Sequence, residues 1–456
     1  MDSAKLDFSD IDYKYFTVPQ SGWIRGDELN YAEWARQVGD ERWSYKGLLP
    51  YFRRSEHHFE LNADPEQHGF EGPMHNSSVS SSGRRYPLRE TVLKAWKHLG
   101  LKEIPDANNG APQGVAELVE NRPDGLRQLT SNVYPLKGAH VMTETTVSRI
   151  ILSDNDRYGK VATGVELSDG RHINIKSGGE VLVCGGAYRS PQILMLSGIG
   201  DNSELQKRGI RQQILEAPPP ESGLAVGSLM FADPAFEKGN PVDWLATMTV
   251  PHDVLNAAIA QNEPDSIVDD NHVLLRGPRS HLEMNVLYAV FAAEQIGLDT
   301  PIDETAIMSY CLACLPTSRG SISLSSKDPL DHPVIDPNYA ATKADRFVMQ
   351  EGWRVMSRLM LETPEAKDLV VDEIVPDGHT CLLSNSSSDD IDTRINIGAV
   401  SCYHPPGSCS MGKVVDSSCK VHGVEGLRVV DASVIPVPLA AHYQAACRAD
   451  CDNYSC

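Results

Sequence analysis

Glu180-Val-Leu-Val-Cys-Gly-Gly-Ala-Tyr-Arg-Ser-Pro-Gln-Ile-Leu-Met-Leu196 is the stretch on which the fold turns. Its apolar opening suits a short strand buried in a parallel sheet. Gly185 and Gly186 make a turn. Pro191 then falls near the first turn of a helix, where its missing N–H costs little. Strand, glycine turn and helix in this order present backbone N–H groups to an anion. A tight turn with no ligand accounts for the two glycines about as well.

Working outward, residues 141–152 are β-rich and alternating. A turn at 154–156 leads to strands at 161–167 and 171–175, a three-strand meander. Further upstream, Asp27 starts a helix through Tyr31 and Trp34, and Ser44 to Glu56 forms a second. The His57-His58 pair reads as part of a helix. Residues 61–85 are rich in Gly, Ser, Asn and Pro and read as loop, and 86–100 as helix. Downstream, residues 214–340 mix short strands with Pro- and Gly-bearing loops. Residues 307–315 form an apolar strand that carries Cys311 and Cys314, a lone CxxC read as structural. Residues 342–362 form an amphipathic helix. Residues 384–390 read as a solvated loop, and Gly426 to Ser433 as a strand-like run.

Composition excludes several functions. A chain of 456 residues buries a large core and divides into domains. A net charge of −21 argues against nucleic acid and against an anionic membrane surface. No run of apolar residues is long enough to span a bilayer. The N-terminus lacks the basic-then-apolar order of a signal peptide, so a cytoplasmic location is favoured while the compartment stays open. Ten cysteines in irregular spacing do not make a disulfide scaffold in a chain this long.

The last sixty residues hold the chemistry. His404 sits in Tyr403-His-Pro-Pro-Gly-Ser-Cys-Ser-Met-Gly412, and His442 in Pro438-Leu-Ala-Ala-His-Tyr-Gln444. A neutral imidazole takes a hydroxyl proton and later returns it. The strand-like run between the two histidines is suited to bring both to one side of a sheet edge. The other thirteen histidines are read as ordinary core or surface groups.

Together these segments resemble the glucose–methanol–choline (GMC) oxidoreductases, which are FAD-dependent alcohol oxidases and dehydrogenases. Gly185 to Gly200 looks like the family's second signature, a G-A-x-x-S-P core leading to S-G-I-G. Ser318-Arg-Gly320 with Asp336-Pro-Asn-Tyr339 is similar to its substrate-domain segment. Residues 403–412 and 421–433 match its C-terminal block, and Trp34, Trp43-Ser-Tyr45 and Leu49-Pro-Tyr-Phe52 echo its N-terminal helices. The resemblance implies an α/β (mixed α+β) fold: an incomplete FAD-binding Rossmann-like domain and a substrate domain with an antiparallel sheet and helices. The expected division is a partial FAD-binding region over 1–213, a substrate domain over 214–400, and a catalytic block over 401–456 that returns to the FAD domain.

The resemblance also assigns roles. His404 is the base that accepts the hydroxyl proton, and His442 holds the alkoxide. Tyr443 and Gln444 point backbone N–H groups at the reduced flavin. Asp431 and Ala432 meet the FAD pyrophosphate, and Val147 lies beside the adenine. The partner is a small-molecule alcohol. Residues 214–340 resemble the fungal branch acting on aromatic or polyketide-derived alcohols in secondary metabolism.

The sequence departs from the family in four places. It contains no G-x-G-x-x-G, so the strand beside residues 181–184 and the main pyrophosphate helix are expected to be lacking. Pro19 to Gly26 keeps only the tail of the first signature. Residues 215–223 lack the usual glycine turn and N-x-x-D-H. The Ala-rich helix after His442 is expected to decay into Cys447 to Cys456. FAD affinity should fall by several kcal/mol. A truncated or mis-spliced form of a working enzyme is the favoured explanation. A non-catalytic protein of the same partial fold, or a misfolding-prone fragment, is the alternative.

Overall fold

The computed structural model describes residues 21–155, 159–201, 238–262, 272–290, 305–368, 370–399, 402 and 404–453. Helices lead. In α1 (Glu28–Val38), Asp27 caps the start by accepting from the Leu29 N–H at 2.9 Å. Gly39, left-handed at φ 68°, ends it. In α2 (Tyr45–Ser55), Ser44 caps by accepting from the Gly47 N–H at 3.2 Å. After α3 (Arg89–His98) comes β1 (Gly114–Glu117).

The expected meander follows as β2 (Val147–Asn155), β3 (Gly159–Leu167) and β4 (His172–Asn174). Its first strand starts six residues later than the alternation suggested. Then come β5 (Val181–Val183) and α4 (Gly186–Leu196), as the opening stretch requires. Further along come β6 (Trp244–Met248), β7 (Leu282–Leu287), β8 (Met308–Ala313), α5 (Lys343–Ser357), α6 (Ser388–Gly398), β9 (Leu427–Val429) and α7 (Gln444–Asn453), among shorter or peripheral elements. No helix among the described residues is long and apolar enough to cross a membrane.

Two of the sheets among the described residues carry the site. An antiparallel sheet runs β8-β7-β6-β1. One face buries Ala246, Met284 and Leu282 under α5 and α3. Strand β5 pairs in parallel with β9. No third strand joins that pair among the described residues, and Leu182 is 57% exposed. The C-terminal block and the N-terminal helices share one core, in which Val429, Leu439 and Ala445 pack with Trp23, Trp34 and Phe52. The expected divisions at 213/214 and 400/401 lie outside the described residues. Strand β1, from the first region, nonetheless completes the sheet of the second. A boundary by sequence position alone therefore splits this layer, because β1 pairs across more than a hundred residues with β6.

Three local readings change. The His57-His58 pair is not helical: α2 ends at Ser55, and Glu56–His57 runs extended beside Met74–His75. Residues 384–390 are only partly loop, because Ser387 caps α6 and Asp389 and Asp390 fill its first turn. The closing helix α7 forms, with Ala445 and Ala446 buried against α2.

The extended path at Glu56 has an electrostatic cause. Its buried carboxylate accepts from Arg25 Nη2 at 2.5 Å, Trp23 Nε1 at 3.0 Å and Asn76 Nδ2 at 2.8 Å, and pairs with His68 Nδ1 at 3.0 Å. His68 Nε2 meets Asp106 at 3.1 Å. Burial opposes charge on His68, but Asp106 and Glu56 outweigh it and push its pKa from 6.5 up to about 9. Burial likewise opposes charge on Glu56, but Arg25 and His68 hold it down at about 2, against 4.5.

The His68 contribution is therefore complete below pH 6.5 and is lost as pH rises towards 9. The Glu56 contribution is complete above pH 4.5 and is lost as pH falls towards 2. His58, whose pKa burial and then His68 lower, costs stability as pH falls below 6.5. Melting temperature should peak near neutrality and fall by pH 9, with His68 worth on the order of 3 kcal/mol. Melts of the wild type and His68→Gln across this range test it. An alkaline slope that survives the substitution unchanged refutes the assignment.

Candidate active site

His404 and His442 come together. Their ring centroids lie 5.1 Å apart, and His404 stacks on Tyr443 at 5.3 Å. The chain around His404 is tied to the C-terminal block. The Cys409 N–H donates to the Ser433 carbonyl and the Met411 N–H to the Val434 carbonyl, both at 2.9 Å. His442 is fixed from behind. Its N–H donates to the Ile24 carbonyl at 3.2 Å, and the Ala440 N–H donates to Asn30 Oδ1 of α1 at 3.0 Å. The Gln444 side chain donates to the Gly22 carbonyl at 2.5 Å. A Cβ at residue 22 would collide with His442 Nδ1, so only glycine leaves that nitrogen its space.

The two imidazoles differ in charge. His442 Nε2 lies 2.9 Å from Glu283 Oε1, and Glu283 is 2% exposed. Burial works against a charged His442, yet the Glu283 carboxylate outweighs it and the pKa is raised. Nδ1 runs close to the Gly22 backbone but makes no hydrogen bond of good geometry. His404 goes the other way: burial, then the neighbouring His442, lower its pKa to about 3. Its Nδ1 meets the Cys402 thiol at 4.0 Å, and Nε2 has no hydrogen bond among the described residues. The site thus pairs His404, whose pKa is pushed down and whose Nε2 has no hydrogen bond among the described residues, with His442, whose pKa the Glu283 carboxylate raises.

Glu283 was not foreseen. Strand β7 alternates Leu282, Met284 and Val286 with Glu283 and Asn285, a pattern that reads as one core face and one wet face. Here the polar face meets His442 instead of water. The signal was a carboxylate in a strand that is apolar on its other side.

The anion-seeking turn is answered from within the chain. Gly186 N–H donates to Asp431 Oδ2 at 2.8 Å, Ser190 Oγ donates to the same oxygen at 2.6 Å, and Ser433 N–H donates to Oδ1 at 2.8 Å. The Asp431 carboxylate is therefore fully engaged. The N–H groups of Ala432, Tyr443 and Gln444 meet no acceptor among the described residues. Val147 opens β2 opposite Leu167. Cys311 lies against Gly352 of α5, and burial raises its pKa to about 12, as a structural thiol requires.

Residues 17–228 and 316–449 match the family models for the two parts of the GMC oxidoreductases. The chain is 40% identical over 441 residues to GMC-type oxidoreductase acuG of Aspergillus aculeatus, covering 93% of this chain and 79% of that one. It is 29% identical over 448 residues to pyridoxine 4-oxidase of Microbacterium luteolum, covering 95% and 81%. A solved formate oxidase variant from Aspergillus oryzae shares the fold, with a TM-score of 0.77 at 23% identity over 95% of this chain and 81% of that one. The chain belongs to the GMC oxidoreductase family, and it is an FAD-dependent oxidoreductase.

Proposed function

We propose that this protein oxidises a primary or secondary alcohol to a carbonyl, with His404 as the base and His442 as the charge that steadies the alkoxide. One observation carries the reading: the His404 imidazole, its Nε2 without a hydrogen bond among the described residues, lies 5.1 Å from the His442 imidazole, whose Nε2 a buried carboxylate holds at 2.9 Å. The Glu283 carboxylate raises the pKa of His442 and occupies its Nε2, so that ring is the poorer candidate for the base. His404 is the imidazole left to take the hydroxyl proton. Negative charge growing on the substrate oxygen raises the proton affinity of His404 as the reaction proceeds, and His442 lowers the cost of that charge. The pair excludes a double cation, because each positive ring opposes the other.

Backbone donors in the C-terminal block support a place for the cofactor. The N–H groups of Ala432, Tyr443 and Gln444 are donors without acceptors among the described residues, and those of Tyr443 and Gln444 stand at the start of α7, where the helix dipole favours negative charge. We assign Ala432 and the backbone of Asp431 to the pyrophosphate, Tyr443 and Gln444 to the flavin, and Val147 to the adenine side. Bound FAD supplies the acceptor for the hydride that the carbinol carbon releases. We extend the reading to a role in fungal secondary-metabolite biosynthesis. Its support is the texture of residues 214–340 and the identity to an Aspergillus oxidoreductase.

The test is anaerobic mixing of the FAD-loaded protein with a panel of aromatic and aliphatic alcohols. At least one alcohol should bleach the visible flavin bands and yield its carbonyl stoichiometrically; a flavin that stays oxidised against every alcohol sinks the reading. Glu283→Gln removes the charge that holds the His442 proton. It should lower kcat about tenfold or more at neutral pH and move the alkaline limb of the pH profile to lower pH.

A further inference from the structure

Strand β7 presents more than Glu283 to the site. Asn285 lies two residues on, so strand alternation puts it on the same face, about 6–7 Å away. It is 1% exposed, its Nδ2 is buried without a partner, and its carboxamide makes no hydrogen bond among the described residues. A buried amide with nothing to bond to costs free energy, so it calls for an explanation. Tyr310 of β8 stands directly opposite Asn285 in the ladder and therefore shares that face. Its hydroxyl also has no hydrogen bond among the described residues, and it feels the charge of Glu283. The opposite face of the sheet is dry core: Ala246 and Met284 pack there under α5. The unpaired polar groups of these two strands thus lie on the face that carries the His442 contact.

We infer that Asn285 and Tyr310 form a second recognition point for the substrate, taking a hydroxyl or carbonyl oxygen a few bonds removed from the carbinol. The inference rests on the alcohol-oxidising reading. The amide both donates and accepts, as does the phenol, so the matching group is an oxygen and not an apolar ring edge. An apolar alcohol leaves both groups unpaired and is discriminated against for that reason. The substrate class this defines is a hydroxymethyl-bearing ring with a second oxygen substituent.

Two probe pairs test it on the FAD-loaded protein: 3-hydroxybenzyl alcohol against benzyl alcohol in turnover, and the corresponding aldehydes in titration calorimetry. The wild type should favour the hydroxylated member about tenfold or more in both kcat/KM and affinity. Asn285→Leu should collapse that ratio, and Tyr310→Phe should reduce it. A role in packing alone would weaken both members alike and leave the ratio standing, which overturns the inference. Equal handling of the pair by the wild type overturns it too, as an ordered water between the two groups would predict. Should no alcohol be oxidised while the aldehydes are still discriminated through Asn285, the subsite holds and the alcohol reading falls.

Discussion

Replacing His404 with asparagine is expected to lower kcat for alcohol oxidation by about two to four orders of magnitude while FAD stays bound. Asparagine fills much of the same volume and can still hydrogen-bond a hydroxyl, but it cannot take its proton. The loss should therefore fall on kcat more than on KM. His404 reaches the site through the Cys409 and Met411 bonds to the Ser433–Val434 turn, none of which uses its ring, so the fold should tolerate the change. Stopped-flow reduction of the flavin reads the step directly. His442→Asn should cost less, about tenfold to a thousandfold, because an amide dipole replaces part of what a charge supplied. A His404→Asn protein that reduces its flavin within threefold of wild type would remove the base from this position, and the open Nε2 would need another purpose.

The ease with which these two histidines are found in the sequence, and the difficulty of finding Glu283, have one physical origin. His404 and His442 sit in local motifs whose neighbours set the backbone: Pro405, Pro406 and a left-handed Gly407 on one side, and the start of α7 on the other. Local rules read such segments well. Glu283 acquires its partner 159 residues away, by strand pairing and tertiary packing, and no local rule announces that. The same division holds for the fold. The β2–β4 meander, the β5–α4 unit and α5 are short-range structures with clear periodicity. The joining of β1 to β6 is a long-range pairing invisible in either strand alone. The closing helix was underestimated for a related reason. Residues 444–453 lack a regular apolar stripe, but Ala445 and Ala446 need only a small contact on α2 to hold them. The Asp431 carboxylate likewise finds the Gly186 N–H, 245 residues away, which its own motif does not announce.

Replacing Arg25 with leucine is expected to destabilise the protein by about 3–5 kcal/mol, the usual cost of leaving one member of a buried ion pair alone. Arg25 and Glu56 are both fully buried, with Nη2 and Oε2 2.5 Å apart. The guanidinium also donates to the Gln67 carbonyl at 2.6 Å and lies over the Phe52 ring at 5.3 Å. Leucine keeps some of the packing on Phe52 but strands the Glu56 carboxylate in the core. His68 then becomes its main charged partner, so the alkaline loss of stability should steepen in the variant. The effect should also reach the active site. Arg25 follows Gly22, Trp23 and Ile24, the segment that backs His442, and its own N–H is held by Asn108 Oδ1 at 2.7 Å. Loosening that segment should lower kcat even where the fold survives. Urea melts of Arg25→Leu, Glu56→Gln and the double variant separate the terms. The double should be more stable than the sum of the singles, because the stranded charge is gone. Additive losses, or a single-variant loss under about 1 kcal/mol, would mean that the pair is not what holds the Trp23–Glu56 layer in place.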